Sequence, residues 1–226
     1  MSLYKVLIFD FDGTLCATQD SILYSFQRTF AHFKTEAPTP KQIMEAVSTG
    51  GSLPELLPGL HPSLSKQEAT EWVHTYRHIY STEAGQFTTL FEGTEQMLDA
   101  AKDAGIRNVV ISNKGQRAIE EALSHFSIAH HFDLVIGDNP DLPLQKKPHP
   151  MAFQEVIIPH YAGVSREQFL MVGDTHVDLG FANNARIDSC WARYGYGNTA
   201  LCLQEKPKHT IASLHDLLPV IMPTTQ

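Results

Sequence analysis

The sequence predicts an α/β fold: a Rossmann-like, doubly wound parallel sheet core carrying an inserted α-helical cap domain. Two observations lead there. From residue 89 onward, short apolar runs alternate with amphipathic stretches, as strands joined by crossover helices do. Between residues 15 and 88 only helical periodicity and loops occur. The expected division is therefore a core of residues 1–14 and 89–226 and a helical cap of residues 15–88.

The first element is the run Val6-Leu7-Ile8-Phe9, apolar throughout and so suited to a strand buried on both faces. It ends in Asp10-Phe11-Asp12-Gly13-Thr14. Side chains alternate along an extended strand, so Asp10 and Asp12 can share a side while Phe11 points back. Carboxyl ends of parallel strands are where open α/β sheets bind ligands. A pair of acids there suggests metal binding and covalent chemistry on a phosphate.

After Thr14 the pattern turns helical. Ile22, Phe26, Phe30 and Phe33 recur at helix spacing, and Pro38-Thr39-Pro40 ends that helix and starts another, with Thr39 as N-cap. Thr49 to Pro54 reads as a flexible loop, followed by a proline- and glycine-rich piece through Pro62. Ser65 and Glu68 form a capping box ahead of an apolar face made by Ala69, Trp72, Val73, Tyr76, Ile79 and Tyr80. Met97, Leu98 and Ala101 mark the next helix, closed by Gly105. Val109-Val110-Ile111 is a buried strand, and Ile119, Ala122, Leu123 and Phe126 face one side of a helix. Residues 133–138 read as a strand, 151–161 as a helix interrupted late by Pro159, and Phe169-Leu170-Met171-Val172 as a buried strand ending at Gly173-Asp174. A helix over 177–185, a strand over 189–193 and a closing helix around Leu214, Leu217 and Leu218 complete the chain.

Composition excludes several classes. With 42% apolar residues the chain can build a substantial core. Seventeen basic against 25 acidic residues give a net charge of −8, which argues against nucleic acid as a partner. The three cysteines, Cys16, Cys190 and Cys202, form no C-x-x-C and read as buried thiols in a reducing compartment. No apolar stretch approaches the roughly 20 residues of a membrane helix. The lead-in Met1-Ser2-Leu3-Tyr4-Lys5 leaves no room for a signal peptide. A cytoplasmic protein, monomer or dimer, with no membrane partner is expected.

Four strand ends gather the polar residues. Asp10 and Asp12 follow the first strand and Ser112-Asn113-Lys114 the second. Lys146-Lys147-Pro148-His149-Pro150 lies in the loop after the third, and Gly173-Asp174 with Asp178 follows the fourth. Carboxylates, a hydroxyl and a lysine on one sheet edge suit a phosphate and a hard divalent cation such as Mg2+. Each piece also has an ordinary structural reading: Asp-Gly as a turn, and Asp174 and Asp178 as acids favoured at a helix N-terminus. In the cap, Thr49, Gly50 and Gly51 are the first candidates for substrate contact. Arg28 and Arg77 could meet an anion, although a solvated helix face is the commoner role. His74 and His78 lie four residues apart but lack the H-E-x-x-H pattern of zinc helices, and His125, His130 and His131 show no ligand spacing.

Together these motifs resemble those of the haloacid dehalogenase-like phosphohydrolases, particularly helical-cap members similar to phosphoglycolate phosphatase. Asp10-Phe11-Asp12-Gly13-Thr14 matches the first motif, Ser112 the second, Lys147 with Pro148-x-Pro150 the third, and Gly173-Asp174-x-x-x-Asp178 the fourth. The adjacent Lys146 leaves the third motif open by one residue, and Pro-x-Pro favours Lys147. The resemblance implies a Mg2+-dependent phosphoric monoester hydrolase acting on a small phosphorylated metabolite, with phosphoglycolate the first guess. Asp10 would be the nucleophile that becomes an aspartyl-phosphate, and Asp12 the general acid and base. Asp10, Asp174 and the backbone carbonyl of Asp12 would hold the metal, while Asp178 acts through water or by orienting its neighbours, and Thr14 supports the site. Ser112, Lys147, Asn113 and Gly13 would hold the phosphoryl oxygens, the last two through backbone N–H groups. Asp12 also separates phosphate chemistry from dehalogenation, whose halide leaving group needs no acid. A phosphosugar mutase of the beta-phosphoglucomutase type, a pyrophosphatase or a nucleotidase would share these motifs. Outside enzymes, a phospho-accepting signalling module would place its aspartate on a later strand.

Overall fold

The computed structural model describes residues 3–222, so Met1 and Ser2 of the expected lead-in lie outside the described residues. Its centre is a six-stranded parallel sheet. The strands are β1 (Val6–Phe9), β4 (Arg107–Gly115), β5 (Phe132–Asp138), β6 (Phe169–Gly173), β7 (Asp188–Ala192) and β8 (His209–Ile211). Two further short strands, β2 (Cys16–Ala17) and β3 (Thr89–Leu90), form a separate antiparallel pair. The order across the sheet is β5-β4-β1-β6-β7-β8. The chain steps from β1 out to β4 and β5, then returns to the other side of β1 for β6. That reversal is a topological switch point, where a crevice opens beyond the strand ends.

Period-two alternation decides which side chain enters which core. Leu7 and Phe9 join Val110, Leu170 and Val172 on one face, beneath α5 (Thr94–Asp103) and α6 (Gln116–His125). Val6 and Ile8 join Val109, Ile111 and Met171 on the other, beneath α8 (His176–Ala185). All four residues of β1 are fully buried, as a strand covered by helices on both faces must be. Phe153 and Ile157 reach the second face from a π-helical turn over Phe153–Ile157, which continues into α7 (Ile158–His160) around Pro159.

The chain leaves β1 through the β2–β3 pair, where Cys16 lies opposite Leu90 and Ala17 opposite Thr89. This ladder ties the two ends of the helical stretch together, a pairing that runs only two residues and shows no periodicity in the sequence. Beyond it come α1 (Gln19–His32), α2 (Pro40–Val47), α3 (Leu53–Leu60) and α4 (Lys66–Ile79). Ile22, Phe26 and Phe30 of α1 pack with Ile43, Leu57 and Trp72 in a cluster of their own. Phe33 stacks on Trp72 at 4.4 Å between ring centroids. Thr39 and Ser65 cap α2 and α4 through the expected boxes.

Four expectations need correction, the first being that β2 places a two-residue strand at Cys16–Ala17 inside the stretch expected to hold only helices and loops. The proline- and glycine-rich piece after Pro54 is not a loop but α3: Pro54 sits in its first turn, Ser52 and Glu55 cap it, and Pro58 is tolerated within it. The strand β8 was not expected; at three residues it is too short to announce itself, and it pairs only with β7. The apolar face of α4 stops at Ile79, after which Tyr80–Ala84 forms a π-helical turn. Among the described residues no helix is long and apolar enough to cross a membrane.

Candidate active site

Strand register delivers the polar residues to one place. Phe9 of β1 lies level with Val110 of β4 and Val172 of β6. The next residue, Asp10, donates its N–H to the Val172 carbonyl at 2.9 Å and so continues the ladder past the strand end. One step further on the flanking strands come Ser112 and Asp174, both buried. The turn after Asp12 places Gly13 at φ +78°, and a Cβ there would lie 2.3 Å from Asp174 Oδ2. Only glycine therefore lets the first loop and the fourth strand end approach this closely.

A lysine binds the cluster. Lys147 Nζ lies 2.7 Å from Asp10 Oδ1 and 2.6 Å from Asp178 Oδ1, and donates to the Ile111 carbonyl at 2.9 Å. Burial alone would push this ammonium down, but the Asp10 and Asp178 carboxylates hold it above its ordinary value. Lys146 points elsewhere: it donates to Ser52 Oγ at 2.9 Å and lies 3.7 Å from Asp138. Of the two lysines left open by the sequence, Lys147 is the one on Asp10.

Ligand oxygens of Asp10, Asp174 and Asp178 come within 4.8 Å of one another. Burial raises the Asp10 carboxyl to about 7 against the pull of Lys147, with the Asp178 charge adding to the rise. Burial raises Asp174 as well, helped by the Asp178 and Asp10 charges and opposed by the Tyr196 N–H. Three buried carboxylates with one ammonium leave an excess of negative charge, and an all-oxygen donor set suits a hard divalent cation. The residues present therefore fit magnesium. The Asp12 side chain stands outside this set. Asp174 is braced further by Thr14, whose hydroxyl donates to Oδ1 at 3.3 Å, and by the Tyr196 N–H at 2.6 Å from Oδ2. Asp178 Oδ2 accepts from the Thr175 N–H and hydroxyl at 2.9 and 2.7 Å, closing the N-terminal box of α8.

Asp12 meets a residue to which the sequence reading assigned no role. Lys114 Nζ lies 3.0 and 3.2 Å from its two oxygens. The same ammonium sits 3.9 Å above the Tyr80 ring, in the helical insertion. Burial opposes its charge, yet Asp12 holds it above its ordinary value. A signal existed: Lys114 stands two residues after Ser112 at the strand end where the other polar residues gather, although β4 is irregular between Ile111 and Gly115. Tyr196 had no such signal. Its hydroxyl accepts from the Thr18 and Gln19 N–H groups at 2.7 and 3.0 Å, satisfying donors at the start of α1.

The remaining candidates divide. The Asn113 side chain is engaged within the protein: its amide donates to the carbonyls of Gly50 and Lys147, and its oxygen accepts from the Lys147 N–H. Gly50 and Gly51 line the same cavity as Asp10, whereas Thr49 does not and turns its hydroxyl back to Ala46 at 2.7 Å. Gly50 also touches the core closely; a Cβ there would meet Val177 at 2.7 Å. Arg77 lines the cavity and pairs with Asp138 at 2.9 Å, while Arg28 pairs with Glu83 at 3.2 Å away from it. His74 and His78 are exposed, and neither joins a metal-binding group among the described residues.

The resulting cavity, about 690 Å³, lies between the strand ends and the helical insertion. Phosphoglycolate phosphatase of Vibrio cholerae is 27% identical over 228 aligned positions, spanning 98% of this chain and 99% of that protein. Pyrophosphatase PpaX of Bacillus mycoides is 25% identical over 220 positions, spanning 96% of each. A crystal structure described as a predicted phosphoglycolate phosphatase from Haemophilus somnus superposes with a TM-score of 0.85 at 24% identity, covering 97% of this chain and 99% of that one. The sequence profile of haloacid dehalogenase-like hydrolases matches residues 7–192. That match begins inside β1 and ends with β7, taking in the ends of β1, β4, β5 and β6 that form the site, and the chain belongs to the haloacid dehalogenase-like hydrolase family.

Proposed function

We propose that the protein is a magnesium-dependent phosphatase that cleaves a small phosphomonoester through an aspartyl-phosphate on Asp10. The observation that carries this reading is the convergence of Asp10, Asp12, Ser112, Lys147 and Asp174 on one cavity from four separate strand ends. Asp10, Asp174 and the Asp12 backbone carbonyl would hold the cation, with Asp178 beside them. When bound, magnesium offsets the repulsion between a carboxylate nucleophile and a phosphate dianion and stabilises charge in the transition state.

The chain's own residues do the rest. An Asp10 oxygen attacks phosphorus in line, the ester P–O bond breaks, and Asp12 gives its proton to the departing alkoxide. Water then attacks the aspartyl-phosphate, Asp12 takes that water's proton, and inorganic phosphate leaves with Asp10 restored. Lys147 orients Asp10, and the Ser112 hydroxyl with the backbone N–H group of Asn113 binds the phosphoryl oxygens, while the Gly13 N–H expected to join them is taken up by the Cys16 carbonyl at 2.9 Å. Lys114 fixes the orientation of Asp12 from the side that Tyr80 covers.

Residues 15–88 act as the cap over a core formed by 1–14 and 89–226. Supporting this are the separate apolar cluster of the helices and contacts across the cleft, among them Gly50 with Asn113, Ser52 with Lys146, Arg77 with Asp138 and Ser81 with Glu121. The three cysteines, all buried and unpaired, accord with a cytoplasmic enzyme.

Phosphate release from an ester panel, with magnesium and with chelator, tests this reading; phosphoglycolate is its reference compound. Asp10→Asn should abolish release while leaving the circular dichroism spectrum unchanged. Retained turnover in that variant refutes the nucleophile assignment, and isomerisation of a hexose monophosphate without phosphate release would mark a mutase.

A further inference from the structure

We propose that the cap side of the cavity takes the uncharged, apolar or aromatic alcohol portion of a phosphomonoester in preference to a short carboxylated one. This rests on the phosphatase reading and names the substrate class for that site.

The first observation is the apolar part of the cap wall, beside the polar His74, Arg77, His78, Ser81 and Thr82 that also line it. Val47, Leu53, Leu56 and Tyr76 line the cavity half-buried, and the buried Tyr80 lines it behind them. Tyr76 and Tyr80 lie nearly parallel, with ring centroids 6.1 Å apart and planes inclined by 24°. Phe26 packs on Tyr76 at 4.8 Å and holds that ring in place. A flat group entering from the strand ends meets an aliphatic ledge and a fixed aromatic face, which reward apolar burial and ring stacking.

The second observation is charge. Seven carboxylates line the cavity against four lysine or arginine side chains. Each of those four already faces a carboxylate: Lys147 with Asp10 and Asp178, Lys114 with Asp12, Arg77 with Asp138, and Arg117 with Glu121. Among the described residues, no cavity lysine or arginine lacks an acidic partner. With Asp12 carrying the proton it gives to the leaving group, a divalent cation only balances the remaining carboxylates, so a second anionic group on the substrate finds no unpaired lysine or arginine as counter-ion.

The third is room. At about 690 Å³ the cavity falls among pockets that enclose whole organic ligands. A phosphorylated two-carbon acid has about nine heavy atoms and leaves most of such a space to water.

Three esters of primary alcohols separate these terms: 2-phenylethyl phosphate, ethyl phosphate and phosphoglycolate, with kcat/KM read from phosphate release in magnesium. The phenylethyl ester should exceed ethyl phosphate by at least about tenfold, because single methylenes in an apolar pocket already discriminate by 10–200-fold. Phosphoglycolate should fall below both. Leu56→Lys puts an unpaired cation in the cap wall and should raise the phosphoglycolate-to-phenylethyl ratio by about tenfold or more, the factor that 1.4 kcal/mol represents. Val47→Lys serves where the first variant does not fold. Phosphoglycolate as the fastest of the three on the wild-type enzyme, or equal rates for the ethyl and phenylethyl esters, overturns the pocket assignment and leaves the phosphatase reading standing. Release from none of them overturns both.

Discussion

Replacing Lys147 by methionine keeps the length of the side chain and removes only its charge and donors. In the wild type Nζ touches Asp10 at 2.7 Å, Asp178 at 2.6 Å and the Ile111 carbonyl at 2.9 Å, with the residue 6% exposed. Removing one partner of a buried ion pair costs about 3–5 kcal/mol, since the partner left behind stays buried and uncompensated. For a chain of this size each kcal/mol moves Tm by about 2–4 °C, so the melting temperature in chelator at pH 8 should drop by roughly 6–20 °C. The sign of the pH dependence follows from Asp10, already raised to about 7 by burial and raised further once the ammonium is gone. A carboxyl whose folded value is raised contributes stability that is full below its unfolded value near 4 and lost as pH rises through the folded value. The variant therefore loses most relative to wild type above pH 7, and the gap narrows toward pH 5, where Asp10 is protonated in both. Saturating magnesium should recover part of the loss, about 2.7 kcal/mol at a hundredfold excess over Kd. Urea unfolding at pH 8 and pH 5, with and without the metal, provides the measurement. A deficit below about 1 kcal/mol at pH 8 in chelator, or one that widens on acidification, refutes the argument.

Other outcomes follow from the same geometry. Gly13→Ala forces a Cβ to 2.3 Å from Asp174 Oδ2 at φ +78°, so it should weaken magnesium binding and phosphate release together; isothermal titration with magnesium checks the first. Because the Asp10 and Asp174 carboxyls are both raised, metal must displace protons at lower pH. Magnesium affinity should fall as pH drops below about 7, by about tenfold per unit for each proton displaced, and titrations at pH 6 and 8 would expose a flat profile. Tyr196→Phe removes the acceptor for the Thr18 and Gln19 N–H groups and should cost about 1–3 kcal/mol of stability, measured by urea unfolding. An unchanged midpoint would mean that water replaces the hydroxyl.

The parallel sheet was legible because each strand carries its own evidence. Val6 to Phe9 and Phe169 to Val172 are apolar at every position, which only a strand covered on both faces requires. The capping boxes at Thr39 and Ser65 were equally local, three residues from one end to the other. What escaped was either short or non-local. The β2–β3 pair joins residues more than seventy positions apart through two pairs of partners, and α3 looks like a loop because its prolines sit where a helix admits them. Lys114 lay in plain sight beside Ser112, but its task depends on Asp12 and Tyr80, which are distant in sequence.

The sequence by itself determined the chemical cast and the edge of the sheet on which it gathers. Strand periodicity and strand-end position are local properties, and Asp10, Asp12, Ser112 and Asp174 owe their places to them. Only the tertiary structure decided the partners: Lys147 rather than Lys146 on Asp10, Lys114 on Asp12, and Asn113 bracing Gly50 and the Lys147 loop. Partnership depends on how loops from four strands and a helical insertion pack against one another. No periodicity records it, because the free energy of a buried charge is set by whatever neighbours the whole fold brings within reach.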